Sequence, residues 1–444
     1  MRSRPDNVTA SIRAPWGLWA GGVIILSALL AFAALNPGNG TEMFFLLLGL
    51  ASVGYFAAMR TIAKGFHPSG RVLVACAFIA AAWRVPLVLA PPEPAADLRR
   101  YVWDARLVRA GLSPYTVIPA DPAVAHLRTP ESWPLNNPEV PSPYPPGAQV
   151  FFLAATAVAE SALSIKTAAL FCDALLGFVV WRWLAALGAN PGWILGYLWN
   201  PLVSLEVARH GHLDVVGALC VIVAALALVR RRSLLGTVAF ALSVAVKPLP
   251  IVLAPLLWRR ISGRDLLAGI AVLVALYWAF WDGHHLPIGS MPEVVARFRF
   301  NGAIFAAVAS RAGPMMATGL AIVAGLAVAA WARRRLSIES SAAWAWPMAA
   351  ALLCSPLVYP WYLVWLSPFL VAPATMLLTL WTVSILSTYV VWQRALAGAP
   401  WAVPGWALLI EYATLGLAAL WLWRRRVTAA AANPPPVRSS WTVP

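Results

Sequence analysis

The 444-residue sequence predicts an all-α, polytopic integral membrane protein, and three observations predict it. Hydrophobic residues make up 61% of the chain and charged residues only 11%, against roughly 25% charge in an ordinary soluble domain. Apolar runs of about 17–25 residues recur along the chain without two-residue alternation, the pattern of spanning helices and not of barrel strands. Arg residues gather in the short gaps between those runs, so the net charge of +16 reads as a topology signal. The partner it implies is the lipid bilayer; no nucleic acid is expected.

Taken in order, the first run, Trp16–Leu35, follows Arg2, Arg4 and Arg13 and is too long for the apolar core of a signal peptide, so it is an uncleaved first helix. With the N-terminus cytoplasmic, residues 43–59 return, and Arg60, Lys64 and Arg71 stay inside. A third helix over 72–90 exits. Residues 91–146 are Pro-rich, polar and too long to lie within lipid, which puts them outside. The run 147–165 decides every later orientation. Lying along the outer leaflet instead of spanning, it lets 167–187 return, 193–207 exit and 213–229 re-enter, with Arg230, Arg231 and Arg232 inside.

The run 234–258 has Arg clusters on both flanks. Both are inside only if it goes in and comes back as two short helices broken at Lys247, where Pro248 and Pro250 make a break natural. Residues 266–281 then exit, 282–313 form an outer loop, and 314–331 re-enter before Arg333, Arg334 and Arg335. Segments 342–358, 361–371, 376–392 and 406–423 complete about 13–14 helices, some short or re-entrant. The expected organisation is one membrane domain over 1–426, carrying an outer loop over 91–165, and a tail over 427–444 that is disordered by composition. Cys76, Cys172, Cys220 and Cys354 are isolated in apolar runs and read as packing residues.

This topology collects polar residues on the outer side. Asp97, Arg100, Tyr101, Asp104 and Tyr144 fall in the large loop, followed by Glu206, His210, His212 and Asp214 in LEVARHGHLD and by Lys247 at the broken helix. Arg297, Arg299 and Asn301 in RFRFNG, and Tyr359, Trp361 and Tyr362 in VYPWYL, complete a cavity open to that face. On a helix, Asp97, Arg100 or Tyr101, and Asp104 share a side. Their carboxylates are then roughly 10 Å apart, too far to act together on one atom. Asp97 either does chemistry or caps a helix after 94–96, while Asp104 is expected to pair with Arg100 or Arg106.

Two His and an Asp at alternate positions in HGHLD could ligate a metal, although hydrogen bonding to a polar ligand is the commoner use. No metal or cofactor is assigned, and a divalent cation is compatible with the pattern. Glu206, an acid at the end of an apolar helix, is a functional candidate. Lys247 is placed to hold an anionic group such as a lipid phosphate, or to snorkel from a kink. Among the 24 Trp, Trp103 and Trp361 are the candidates for stacking on a sugar or polyprenyl chain, against the ordinary interfacial-belt role.

With these residues in view, the chain resembles the GT-C superfamily of membrane glycosyltransferases that use polyprenyl-phosphate sugars, and within it the family 87 and alpha-1,6-mannosyltransferase-like proteins. The resembling pieces are D-x-x-R-Y-x-W-D from Asp97 to Asp104, G-x-x-P-Y from Gly111 to Tyr115, and Y-P-P-G from Tyr144 to Gly147. N-P-L with Glu206 and G-H-x-D, K-P-x-P from Lys247, F-N-G from Phe300 and P-W-Y from Pro360 follow in order. The resemblance implies a hexose, mannose by family, moved from a polyprenyl-phosphate donor to a glycan or glycolipid acceptor at the outer face of a bacterial inner membrane. It also implies anomeric inversion, with Asp97 as general base by motif position and Asp104 as the alternative. The chain departs from members with a paired acidic motif, since Leu98 follows Asp97. A secondary transporter is the rival reading, disfavoured by the absence of a visible repeat; a lipid-linked oligosaccharide flippase or polymerase is another.

Overall fold

The computed structural model of the protein describes residues 16–92 and 97–432. Among these, the structure is helical, with a single isolated bridge between Phe300 and Leu357. Seven helices are long and apolar enough to cross a membrane, and several shorter apolar helices pack among them. The N-terminal charges and residues 433–444 of the tail lie outside the described residues. The last helix, Gly405–Ala432, continues past Arg424 into the stretch expected to be tail.

Helix α1 (Trp16–Leu35) and α2 (Glu42–Ala63) form a hairpin closed by small residues. A Cβ on Gly21 would lie 2.4 Å from the Gly54 carbonyl oxygen, so the two backbones touch where lipid supplies no hydrophobic drive to hold them. Thr41 caps α2 by accepting from the Phe44 amide at 3.3 Å. Helix α3 (Gly70–Leu89) is tied to α6 (Ala162–Ala186) by a buried ion pair, Arg84 Nε to Asp173 Oδ2 at 2.6 Å. The Tyr197 hydroxyl donates to the other oxygen of the same carboxylate. Such a pair persists in an apolar interior because each charge satisfies the other.

Between α3 and α6 lie two helices that do not span. Helix α4 (Asp97–Arg109) packs on α5 (Pro146–Ala155) and α6. At about 1.5 Å per residue, the ten residues of α5 cover roughly 15 Å, half the thickness of a hydrocarbon core. The run 147–165 therefore does not cross as one helix, as the charge argument required. Residues 110–145 fold over α4, and Trp103, Leu107, Val124 and Leu135 form a small core of their own.

The expected break at Lys247 is present. Helix Ser233–Val246 ends there, Lys247 is extended, and a 3-10 turn, Leu249–Leu253, leads into the short helix Ala254–Leu257. The segment 193–207 is broken too. It runs through short pieces, Leu195–Leu198 and Pro201–Val203, into a π-helical turn over Ser204–Arg209 before helix Asp214–Val229. The wider π turn swings Glu206 and the residues behind it off the register that an α-helix would give.

Helix ends sort the charge. Arg60 lies in the last turn of α2, Arg230 caps the far end of helix Asp214–Val229, and Arg333 donates to the Trp258 carbonyl beside Arg259 and Arg260. The opposite helix ends meet around His210, whose ring reaches Asn39 in the α1–α2 turn. One end of the bundle is thus basic, and the other carries the polar cluster described next.

Candidate active site

Asp97 opens α4, and its carboxylate is 27% exposed. Oδ2 accepts from the Tyr144 hydroxyl at 3.3 Å and lies 4.0 Å from Nδ1 of His212. A small cavity beside it is lined by Asp97, Arg100, Asn137, Tyr144, Val294 and Phe298 among others. Burial raises the Asp97 carboxyl above its ordinary value, and the Lys247 charge and the Tyr144 hydrogen bond partly oppose this. The result is a carboxylate with more proton affinity than one in water. The capping alternative concerns residues 94–96, which lie outside the described residues.

Tyr101 and Tyr144 hold that corner. Tyr101 is fully buried, stacked on Phe152 with centroids 4.4 Å apart and meeting Tyr144 edge-on at 5.2 Å. Aromatic faces locked in this way fix the Tyr144 hydroxyl on Asp97.

Asp104 does not pair with Arg100 or Arg106, and that expectation is corrected. Asp104 is fully buried; its Oδ2 accepts from the Ser142 hydroxyl and from Gln149 Nε2 at 3.1 Å. Arg100 reaches past it and donates to the carbonyls of Val140 at 2.8 Å and Asn137 at 3.3 Å, while Arg106 pairs with Glu160. Helical spacing brought the side chains to one face, but a guanidinium is long enough to choose the loop carbonyls over the neighbouring acid. Burial pushes Asp104 up to about 6, against the lowering effect of Arg100 and its two donors.

A second cluster stands behind Asp97. Glu206 is fully buried, with Oε1 accepting from the Tyr389 hydroxyl at 2.6 Å. Its Oε2 lies 3.2 Å from His210 Nδ1 and 3.4 Å from His212 Nε2. Burial lowers both imidazoles below the ordinary histidine value, helped by Arg209 beside His210 and by Lys247 beside His212. Burial thus disfavours the protonated form of both rings.

His212 also begins a stack of rings. It lies on Trp361 at 4.3 Å, Trp361 on Tyr359 at 4.4 Å, and Tyr359 on Phe300 at 4.2 Å. Trp361 is thus part of a built wall and not of an interfacial belt. Trp103, fully buried in the small core under residues 110–145, is neither a belt residue nor a platform.

Distant in sequence, Asp214 reaches Lys247, whose Nζ donates to both carboxylate oxygens at 2.8 and 2.7 Å and sits 4.8 Å over the Tyr362 ring. Trp365 Nε1 donates to the same acid at 2.6 Å. The ammonium is held, and its charge is locally offset. Arg297 and Arg299 are not brought to the cavity: Arg297 is 76% exposed and pairs with Glu293, and Arg299 bonds carbonyls of its own turn. Asn301 belongs elsewhere, donating to the buried Glu411 at 2.8 Å.

Sequence reasoning missed Asn39, Ser142, Gln149 and Tyr389, which touch Asp104 or the Glu206 cluster. Each is a single polar residue in an apolar run or a turn, and nothing local marks it.

Fold and site together define a multi-pass membrane protein whose helix ends enclose an acid-centred polar pocket, the frame of an integral-membrane glycosyltransferase. Residues 9–261 match the family described as alpha-(1->6)-mannopyranosyltransferase, N-terminal domain, and the chain belongs to that family. It is a mannosyltransferase of this kind, as the resemblance of its motifs implied. Among curated proteins compared with the chain, none matches.

Proposed function

We propose that the protein transfers mannose from a polyprenyl-phosphate donor to a glycan or glycolipid acceptor at the extracytoplasmic face of a bacterial inner membrane, with Asp97 as general base. The observation that carries this reading is the position of the Asp97 carboxylate. It is partly exposed in a cavity, raised in proton affinity, and oriented by Tyr144.

The chemistry follows from the leaving group. The acceptor hydroxyl gives its proton to Asp97 while its oxygen bonds the anomeric carbon. The bond from that carbon to the phosphate oxygen breaks, and its electron pair leaves with the polyprenyl phosphate. A phosphate departs as a stabilised anion, so no acid needs to protonate it, unlike the leaving group of a glycosidase. One displacement inverts the anomeric centre. Arg100 supports the departing charge: one Nη holds the loop carbonyls, and the other is buried beside the cavity with no protein partner. Lys247 spends its charge on Asp214 and serves to hold that wall. The exposed Arg297 and Arg299 meet the phosphate only on approach. The ring stack from His212 to Phe300 forms a rigid apolar wall, in which Trp361 has both faces covered by His212 and Tyr359.

The test uses the purified full chain, radiolabelled polyprenyl-phosphate mannose and an oligomannose acceptor. Transfer with inverted configuration is expected, and Asp97→Asn should lower its rate about 10²–10⁴-fold. Uptake of sugar into vesicles without transfer would favour a transporter, and full activity in Asp97→Asn would remove the base.

A further inference from the structure

We propose that Glu206, His210 and His212 form a binding site for one divalent transition-metal ion of the zinc type, set into the wall behind Asp97. The three side chains are buried, and one ligand atom from each lies within 4.8 Å of the others. A tetrahedral ion with bonds of about 2.0–2.1 Å holds its ligand atoms roughly 3.3 Å apart. The His210 Nδ1 to Glu206 Oε2 and His212 Nε2 to Glu206 Oε2 distances are 3.2 and 3.4 Å. Two imidazole nitrogens and one carboxylate oxygen are a donor set that zinc, cobalt and iron(II) accept, and magnesium and calcium do not favour.

The outer nitrogens of the same rings argue further. A His bound to metal through one nitrogen carries its proton on the other, and that N–H is aimed at an acceptor. His210 Nε2 faces Asn39 Oδ1 at 3.2 Å. With the proton there, Nδ1 presents a lone pair to the gap between the Glu206 Oε2 atom and the Tyr389 hydroxyl, each 3.2 Å away, and a cation in that gap makes the contact with the carboxylate attractive. His212 Nδ1 is buried without a hydrogen-bond partner, and the nearest carboxylate oxygen is Asp97 Oδ2 at 4.0 Å. Metal on Nε2 places a proton on Nδ1, the nitrogen 4.0 Å from Asp97 Oδ2. The Tyr389 hydroxyl, 2.6 Å from Glu206 Oε1 and 3.2 Å from His210 Nδ1, fixes the edge that these two ligands share. Trp361, stacked on His212, prevents that ring from turning away. The ion thereby orients His212 toward Asp97, which makes His212 a positioning residue.

Metal binding is read directly and does not depend on which sugar or acceptor the protein uses. The full chain in detergent, stripped with a chelator, is titrated with Co2+ and then Zn2+. One ion per chain is expected, with the visible absorption of a four-coordinate Co2+ site that Zn2+ bleaches. His210→Ala and Glu206→Gln should lose that spectrum, while His285→Ala, on an exposed His paired with Asp282, should keep it. No saturable ion in the wild type, or the same spectrum in His210→Ala and Glu206→Gln, overturns the proposal. Should those variants fail to fold, X-ray absorption at the zinc edge of the loaded wild type decides. A shell of two imidazoles with oxygen supports the site, and a shell without imidazole contradicts it.

Discussion

The first turn and the middle of α4 carry the same side chain into opposite circumstances. Asp97 and Asp104 lie on one face of one helix, and both are met by residues 142–149, Asp97 through Tyr144 and Asp104 through Ser142 and Gln149. Asp97 keeps 27% of its side chain exposed beside a cavity, whereas Asp104 is fully buried. An acid that must exchange a proton with a substrate needs a solvent-connected face. A fully buried acid whose Oδ2 takes the Ser142 and Gln149 donors serves instead to pin residues 142–149 against the helix. The difference teaches that identity and helical face do not assign a role; access does.

The largest expected effect on stability comes from the buried acid. The Asp104 carboxyl is raised from 3.8 to about 6, so folding favours its protonated form. That contribution is complete below the ordinary carboxylate value and is lost as pH rises through about 6, a swing on the order of 3 kcal/mol. Thermal unfolding in detergent from pH 4 to pH 7 should show the fall in wild type, and Asp104→Asn should flatten it. An unchanged pH slope in that variant would mean that Asp104 is more open than the comparison requires.

A smaller effect is expected from Ser142→Ala. It removes a donor to Asp104 and an acceptor for the Gln149 amide, and the cost should be about 1–3 kcal/mol in unfolding free energy. Transfer activity per folded molecule should change little, because Asp97 and Tyr144 keep their contact. Smallest of all, Arg297→Ala breaks only an exposed pair with Glu293. Its effect on stability should stay within about 0.5 kcal/mol. A large loss of donor affinity in this variant would place the phosphate nearer to the 291–297 helix than to Arg100.

Much of the frame was legible before any geometry. Runs of apolar residues located the long apolar helices, and Lys247 with Pro248 and Pro250 located the broken helix, because lipid permits few solutions. Pairings across the bundle were not legible. Asp214 with Lys247 and Glu206 with Tyr389 join residues far apart in sequence, and no periodicity encodes such a meeting. The Arg100 pairing was illegible for a different reason. Spacing predicts which side chains share a face, but the carbonyls of Asn137, Val140 and Pro141 in an irregular loop take the guanidinium in place of Asp104. The ring stack from His212 to Phe300 was half visible, since VYPWYL and FNG stand out in the sequence, yet only folding lays them side by side.

The most direct test sets the two acids of α4 against each other in one assay. Asp97→Asn and Asp104→Asn, each purified as folded protein, are given the same polyprenyl-phosphate mannose and acceptor, and kcat is measured for both. The account predicts that Asp97→Asn loses about 10²–10⁴-fold, the usual worth of a general base, while Asp104→Asn stays within a few-fold of wild type. Loss confined to Asp104→Asn, with Asp97→Asn fully active, would contradict it.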